Sequence, residues 1–495
     1  MPRPRITFYG GARQLGGNQI LVEDQGTRVF LDFGSNFDRM GRYYSFPFSP
    51  KKFNALKELT VLGIYPDFDA YPGFDGLYRP DYLRRIGREP AAKSIDGVVF
   101  SHAHLDHAAG LHFLRPDMDV YMDRYTKMLL YSMQETSNAP FNEFIDFTYA
   151  FEQAPKLRED GYTWLQGDVA TVSRKINIIR PPEPFNIGNI KFEPFYVDHS
   201  LPGSCAFIIH TSAGIVAYTG DIRLRGRRKS DTENFIREAA ARKPDYLLCE
   251  GSLIRKTHPG VEDDVVTHIA DFVQDRTGLV VIIYPPRDLD RVTSLYKVAK
   301  QTGRKLVVDA RQTFLLDLFD GELGYPKTTH KHIGVYMPRK NKGILDTEYP
   351  NQERDYQKWE RAYIEHPNRV TTEDMKRNPN LYILCLSSSR VGDLVDIDPP
   401  EGSVYVRSHP EPYTEEMEID EKILINWLEK FRLLRQGEQK DLFDTGAEYN
   451  IPQAHITGHM SFDDTRYLIN GICPRFLCQY TLFIPKIFIT CLAVK

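Results

Sequence analysis

Ser-His-Ala-His-Leu-Asp-His, residues 101–107, is the stretch around which the chain is organised. The apolar run at residues 95–100 predicts a short buried strand leading into it, and residues 108–114 predict the start of a helix. Three imidazoles and a carboxylate therefore share one strand-to-helix loop, and these are ligand types that zinc selects. A polar loop in which Asp106 caps the helix would account for one residue of the four. We interpret the motif as a metal site formed by His102, His104, Asp106 and His107.

The composition is typical of a globular protein with more than one domain. The chain has 495 residues, of which 41% are hydrophobic and 26% charged. Its 63 basic and 67 acidic residues nearly balance, so a nucleic-acid partner would need a local basic groove. The first residues lack the apolar core of a signal peptide, and the six cysteines contain no CxxC pair, which fits a reducing compartment. We predict a cytoplasmic protein with no membrane partner.

Three further residues could complete the metal site. Asp32, His199 and Asp221 each follow a predicted strand. Asp32 is either a turn residue or a group that orients a ligating histidine. A catalytic zinc needs three or four protein ligands. We expect one metal to be bound by His102, His104 and His199, and a second by Asp106 and His107. Asp221 is expected to bridge the two metals, because a carboxylate has two oxygens.

Two features follow Asp221 closely in the sequence. Residues 223–229 hold five cations in seven positions, which predicts either a solvated loop or a group that stabilises charge on a substrate. Residues 244–252 predict a buried strand that ends at Glu250. Because Glu250 is another acidic residue at a strand end, we expect it in the same site.

The last polar clusters suit phosphate binding and proton transfer. Ser387 and Ser388 follow a predicted strand at 381–385, where a helix cap explains them equally well. Residues 454–461 place His455, Thr457 and His459 around a glycine turn, which could bind phosphate and protonate a leaving oxygen.

Alternating helices and apolar strands predict a parallel α/β domain inserted into the first one. The expected strands are 279–284, 305–309, 381–385 and 403–406, whereas residues 118–135 are expected to be helical. The predicted organisation is a first domain over 1–255, an insertion over 256–440, a return to the first domain over 441–475, and an atypical segment over 476–495.

The four ordered motifs at Asp32, residues 102–107, His199 and Asp221 resemble those of the metallo-β-lactamase family. Glu250 and the Thr457-Gly458-His459 turn further resemble its beta-CASP branch, the nucleases that include ribonuclease J, the cleavage-and-polyadenylation nuclease and Artemis-type DNA enzymes. The resemblance implies an α/β fold, an αββα sandwich carrying an inserted parallel α/β beta-CASP domain. It also implies two Zn²⁺ ions and catalytic roles for Asp106, Asp221, Glu250 and His459.

The expected activity is hydrolysis of phosphodiester bonds in RNA, with hydroxide held between two metals attacking phosphorus. Ser387, Ser388, His455 and Thr457 are then the expected substrate-binding residues. The alternative is a DNA-repair nuclease of the same branch, with single-stranded DNA as its substrate. The chain could assemble as a homodimer. The family also carries a late His or Val, and this chain has no histidine beyond His459. The resemblance therefore leaves open an altered C-terminal segment, a second metal with fewer ligands, or an inactive RNA-binding scaffold.

Overall fold

The computed structural model describes residues 3–480 and 492–493, apart from residues 13, 15, 46, 149–151, 156–159, 161, 166–170, 254–259, 341–354, 413–414 and 434–453. No helix in these described ranges is both long enough and apolar enough to span a membrane.

Two sheets face each other in the first domain. The first sheet has six strands, in spatial order β1 (Arg5–Gly10), β2 (Gln19–Asp24), β3 (Thr27–Leu31), β4 (Gly97–Val99), β5 (Asp119–Asp123) and β10 (Ile176–Ile179). The second has seven, in the order β11 (Phe185–Ile187), β12 (Ile190–Tyr196), β13 (Cys205–Thr211), β14 (Gly214–Tyr218), β15 (Tyr246–Glu250), β22 (Phe476–Tyr480) and β23 (Leu492–Ala493). Apolar residues from both sheets, such as Leu31 and Phe207, fill the space between them. The central strands are buried on both faces, and the side chains of the two inner faces pack together to form this core.

Helices cover the outer faces of both sheets. On the side of the first sheet they are α1 (Phe37–Tyr43), α2 (Ala55–Val61), α3 (Pro80–Arg85), α4 (Leu105–Ala108) and α5 (Arg124–Thr136). On the side of the second sheet they are α6 (Lys229–Arg242) and α13 (Phe462–Ile472). Two minor sheets lie between β5 and β10 in the sequence, and they pair β6 (Asp146–Thr148) with β9 (Thr171–Ser173) and β7 (Glu152–Pro155) with β8 (Tyr162–Leu165). The layers therefore run helix, sheet, sheet, helix, which confirms the predicted αββα sandwich.

The inserted domain is built on a parallel sheet of six strands. Their spatial order is β19 (Arg369–Val370), β18 (Ile333–Tyr336), β17 (Lys305–Asp309), β20 (Tyr382–Leu386), β16 (Val280–Ile283) and β21 (Val404–Arg407). Its helices are α7 (Glu262–Gln274), α8 (Leu289–Gln301), α9 (Ala310–Phe319), α10 (Thr372–Arg377), α11 (Leu394–Ile397) and α12 (Glu415–Lys430). Every strand pair in this sheet is parallel, as expected for strands connected through helices. The predicted parallel α/β insertion is confirmed.

The two domains share one hydrophobic core. Residues of α5 and of the inserted sheet belong to the same buried cluster, which includes Leu129, Val280 and Phe319. At this contact the rings of Tyr125 and Phe319 stack with their centroids 5.5 Å apart. The shared core fixes the insertion against the first domain.

One expectation about local structure is wrong, and one segment forms a strand that we did not predict. Asp119–Asp123 forms strand β5 rather than helix, and Asp123 then caps α5 by accepting a hydrogen bond from Tyr125 N. Phe476–Tyr480, the beginning of the segment that we called atypical, pairs in register with Tyr246–Glu250. Cys478 and Tyr480 are buried on the inner face of that sheet. The division of the chain into domains stays a prediction.

Candidate metal centre

The loop that carries the first histidines is held in place by its backbone. Phe33 N donates a hydrogen bond to His107 O (2.8 Å), Asn18 N donates to Asp106 O (2.9 Å), and Ser35 N donates to Leu105 O (3.0 Å). A Cβ atom on Gly34 would lie 1.6 Å from Asp106 O, so only glycine allows this approach. The carboxyl end of β3 thereby fixes the short helix α4, on which Asp106 and His107 lie.

The first group of candidate ligands contains three histidines and an aspartate. His102 Nε2 and His199 Nε2 each lie 3.0 Å from His104 Nδ1, and Asp221 Oδ2 lies 3.8 Å from His102 Nε2. Burial lowers the pKa of all three rings, that of His104 to about 3. Neutral rings whose nitrogens face one another have lone pairs directed at a common point, which is the arrangement that a metal ion requires.

The second group contains Asp106, His107 and Asp221. His107 Nε2 lies 3.3 Å from Asp221 Oδ1 and 3.8 Å from Asp106 Oδ2. Asp221 is common to both groups, and its buried Oδ1 atom accepts no hydrogen bond from the described residues. A buried carboxylate oxygen without a donor is costly unless a cation neutralises it. The donor set therefore fits two metal ions with Asp221 between them.

Asp32 orients the ring of His107 through a hydrogen bond to the ring nitrogen that is not a candidate ligand atom. Its Oδ2 atom accepts hydrogen bonds from His107 Nδ1 (2.7 Å), Ser101 Oγ (2.7 Å) and Tyr218 OH (2.5 Å), and its Oδ1 atom accepts one from Ser101 N (2.7 Å). The Nδ1 atom of His107 therefore carries a proton, and Nε2 is the ligand atom, which releases its own proton when a metal binds. Burial opposes the charged ring, but Asp221, Asp106 and Asp32 outweigh it and raise the pKa of His107.

The Thr457-Gly458-His459 turn makes the remaining contacts of the centre. His199 Nδ1 donates a hydrogen bond to Gly458 O (2.6 Å), so its Nε2 atom faces the first group. His459 Nδ1 donates to Glu250 Oε2 (2.8 Å) and lies 3.7 Å from Asp221 Oδ2. Glu250 Oε1 accepts from Ile222 N (2.9 Å), which holds the carboxylate beside Asp221. Burial disfavours a charged His459, but Glu250 and Asp221 outweigh it and raise its pKa to about 9.

The expected substrate-binding residues have other contacts. Thr457 Oγ1 accepts a hydrogen bond from His459 N (3.2 Å), which supports the turn. His455 Nδ1 lies 3.4 Å from Arg291 Nη1, and burial together with Arg291 lowers the pKa of this ring. Ser387 and Ser388 follow β20, and Ser387 Oγ lies 3.0 Å from Ser389 Oγ. Substrate binding by these residues stays a prediction.

The basic loop at 223–229 forms ion pairs within the protein. Arg223 contacts Asp198 Oδ1 through Nε and Asp290 Oδ2 through Nη2, both at 3.1 Å. Arg228 Nη1 contacts Asp290 Oδ1 (2.9 Å), and Arg228 Nη2 donates to His199 O (2.8 Å). Arg223 is 1% exposed, so it does not stabilise charge on a substrate, contrary to one of the two interpretations of this loop. Sequence analysis missed Asp198 and Asp290, because no motif marks two acids 92 residues apart as partners of one arginine.

Comparison with known proteins agrees with this geometry. A family model described as the beta-lactamase superfamily domain matches residues 68–274. The chain carries a metallo-β-lactamase-fold domain. A crystal structure of an Enterococcus faecalis protein of unknown function has the same fold, with a TM-score of 0.67 and 20% identity over 97% of this chain and 95% of that one.

Curated relatives extend the similarity beyond the metallo-β-lactamase-fold domain. The chain is 26% identical to ribonuclease J of Mycolicibacterium smegmatis over 339 residues, covering 66% of this chain and 48% of the relative. It is 22% identical to ribonuclease J of Pyrococcus abyssi over 483 residues, covering 96% and 88%. It is 26% identical to endoribonuclease YSH1 of Yarrowia lipolytica over 253 residues, covering 50% and 24%. The chain thus spans about half the length of the mycobacterial relative. The resemblance to beta-CASP nucleases is confirmed.

Proposed function

We propose that the protein is a zinc-dependent hydrolase that cleaves phosphodiester bonds in RNA. The observation that carries the proposal is the convergence of two ligand groups on the shared carboxylate of Asp221. The ligands come from segments as distant in sequence as residues 102 and 221, and their ligand atoms lie within 4.8 Å of one another in each group. Structural packing alone does not account for a buried cluster of neutral imidazoles around an unsatisfied carboxylate oxygen.

The ligand chemistry favours zinc. Imidazole nitrogens and carboxylate oxygens are common donors of catalytic zinc sites, in which one coordination position is left for water. Bound metal would supply a water of low pKa as nucleophile and would stabilise the charge that develops on the phosphate oxygens. The protein must hold the metal ligands in position. Asp32, the carbonyl of Gly458 and the backbone around α4 do this through hydrogen bonds.

His459 is the proposed proton donor to the leaving oxygen. Its Nδ1–H group is engaged by Glu250, so its Nε2–H group is the one directed away from Glu250. The pKa of about 9 keeps the ring protonated near neutral pH, as a general acid requires. Glu250 therefore acts through His459, as a positioning residue.

RNA is the proposed substrate class because two relatives that match about two thirds or more of the chain are named ribonucleases. The cytoplasm is the proposed compartment, because the five cysteines in the described part of the chain are unpaired and this compartment keeps thiols reduced.

The proposal is tested with 5′-labelled single-stranded RNA and DNA of the same sequence, using protein loaded with zinc. Asp106→Ala should lower RNA cleavage by at least about a hundredfold, the scale of removing one preorganised group from such a site. Asp117→Ala is the matched control, since Asp117 is exposed and pairs with Arg115 on the surface. Elemental analysis should give two zinc ions per chain. Undiminished cleavage by Asp106→Ala contradicts the two-metal proposal, and less than one metal per chain without cleavage indicates the scaffold instead.

A further inference from the structure

The exposed aromatic side chains of the protein are concentrated in one segment. Of the seven exposed aromatic residues in the part of the chain that the structure describes, five lie between residues 37 and 71. Three of them, Tyr43, Phe48 and Phe53, are at least half exposed, and their rings stack on no other ring among the described residues. Single exposed apolar side chains are common on protein surfaces, whereas a group of them marks a contact site.

One carboxylate of α2 holds this segment together. Tyr44 OH (3.2 Å) and Lys51 N (3.1 Å) both donate hydrogen bonds to Glu58 Oε2. The inner face of α2 is buried in the core of the first domain, so Glu58 has a fixed position. Tyr43 precedes Tyr44 directly and Phe53 follows Lys51 by two residues. The two exposed rings are therefore held in the same region of the surface.

The same segment is basic in a chain that is acidic overall. Residues 37–58 contain five basic and two acidic residues, whereas the whole chain has a net charge of −4. Both acidic side chains contact groups of the protein itself, and Lys51 and Lys57 are exposed. Aromatic rings interleaved with cations are typical of surfaces that bind single-stranded nucleic acid, in which bases stack on the rings and the cations contact phosphate.

Helix α1 connects this surface with the metal centre. Phe37 and Met40 of α1 line a cavity of about 200 Å³ together with Leu105, the first residue of the helix that carries two candidate ligands. Tyr43 ends α1, about 9 Å farther along the helix axis than Phe37. A strand that lies on the exposed rings would therefore continue along α1 to the cavity beside the centre.

We propose that Tyr43, Phe48 and Phe53, together with Lys51 and Lys57, form a platform on which unpaired bases of the substrate strand stack before the strand reaches the metal centre. This proposal rests on the proposed function. The ligand class is single-stranded nucleic acid with either sugar, because every base has a π-face and stacking tolerates any sequence.

The chemistry of the platform favours this occupant over two others. A duplex does not fit, because its bases are stacked on one another and have no free face. An apolar protein surface fits poorly, because it would remove the interleaved lysines from water without a counter-charge. A nucleic-acid strand supplies both a stacking partner for the rings and phosphates for the lysines.

Stacking is tested by substitutions that keep or remove the aromatic face. Fluorescence anisotropy gives Kd for a labelled single strand of about 16 nucleotides, the upper end of the site sizes of such surfaces, on the Asp106→Ala background. We expect Phe48→Leu and Phe53→Leu each to raise Kd about tenfold, and Phe48→Trp to keep Kd within about twofold of the value for Phe48. Tyr467→Leu is the matched control, since Tyr467 is similarly exposed but lies on α13, across the sandwich from α1.

The phosphate contacts are tested by removing one charge at a time. Lys51→Gln and Lys57→Gln should each reduce the slope of log Kd against log salt concentration by about 0.7, and the leucine variants should leave the slope unchanged. Lys331→Gln, which removes an exposed lysine before β18, is the control for charge. A blunt duplex of the same sequence should bind the leucine variants as it binds the parent protein.

Unchanged Kd in both leucine variants would overturn the platform, even if the lysine variants bind more weakly, because the contact would then not involve stacking. An equal effect of Tyr467→Leu, or an equal loss of duplex binding, would overturn it as well. Binding that depends on the aromatic residues, by a wild-type protein that cleaves neither RNA nor DNA, would sustain the platform and contradict the hydrolase. Cleavage by the wild-type protein together with unchanged Kd in the leucine variants would contradict the platform alone.

Discussion

Arg223 Nη2 lies 3.1 Å from Asp290 Oδ2, and this buried ion pair joins the metallo-β-lactamase-fold domain to the inserted domain. Asp290 also accepts a hydrogen bond from Arg228, which in turn donates to the backbone oxygen of His199. One carboxylate of the insertion thus supports the segment that carries a candidate metal ligand.

Replacing Asp290 should be strongly destabilising. Asp290→Ala leaves the buried guanidinium of Arg223 and the partly buried one of Arg228 without this partner, and breaking a buried pair costs about 3–5 kcal/mol in the free energy of unfolding. Urea unfolding followed by tryptophan fluorescence measures the loss. Asp396→Ala is the control, because its pair with Arg339 is exposed and worth about 0–1 kcal/mol. Equal effects of the two substitutions would contradict a supporting role for Asp290.

Asp32 should control metal affinity without binding metal. Asp32→Asn retains the shape of the side chain but weakens the acceptor of His107 Nδ1–H, and such changes typically reduce metal affinity about 10–100-fold. Zinc retained after dialysis against graded chelator concentrations gives the affinity. Asp96→Asn is the matched control, since Asp96 is exposed and accepts a backbone hydrogen bond from Arg28. Wild-type retention by Asp32→Asn would mean that Asp32 only holds Ser101 and Tyr218.

Gly34 should tolerate no side chain. The Cβ atom in Gly34→Ala would lie 1.6 Å from Asp106 O and 2.5 Å from His107 N, so the backbone of α4 must move. We expect a loss of about 1–3 kcal/mol from overpacking, together with reduced metal binding. Thermal unfolding and zinc content are the measurements. Gly392→Ala, where a Cβ meets no atom within 4 Å, should leave both unchanged or slightly raise stability.

The pH profile of cleavage should depend on Glu250. If His459 is the general acid, activity falls as pH rises through its pKa of about 9, because the ring then loses the proton that it donates. Glu250→Gln removes the negative charge that favours the protonated ring, so this alkaline limb should move to lower pH by about one unit or more. Cleavage rates measured from about pH 6 to about pH 10 locate this alkaline limb. Glu238→Gln, whose carboxylate pairs with Arg242, should leave the profile in place.

The sequence identified the candidate ligands because each follows an apolar strand and belongs to an ordered set of motifs, and the structure brings them together. Metal binding by these residues stays a prediction. It could not predict the partners of Arg223. An arginine in a basic loop can bind a substrate or form an ion pair with a buried acid, and the sequence pattern is the same in both cases. Strand β5 was mistaken for helix because Asp123 ends the strand and caps α5 at once, with no glycine or proline between the two patterns. Residues 476–480 were set aside for their unusual composition, although Cys478 and Tyr480 alternate as a buried strand requires.

The hydrogen bond from His199 to Gly458 spans 259 residues of sequence. During translation, every residue of the inserted domain must therefore leave the ribosome before this imidazole is fixed. A nascent chain that already displays the histidines of residues 102–107 still lacks the carbonyl that orients His199 and the His459 ring. Assembly of the centre consequently follows synthesis of the whole inserted domain.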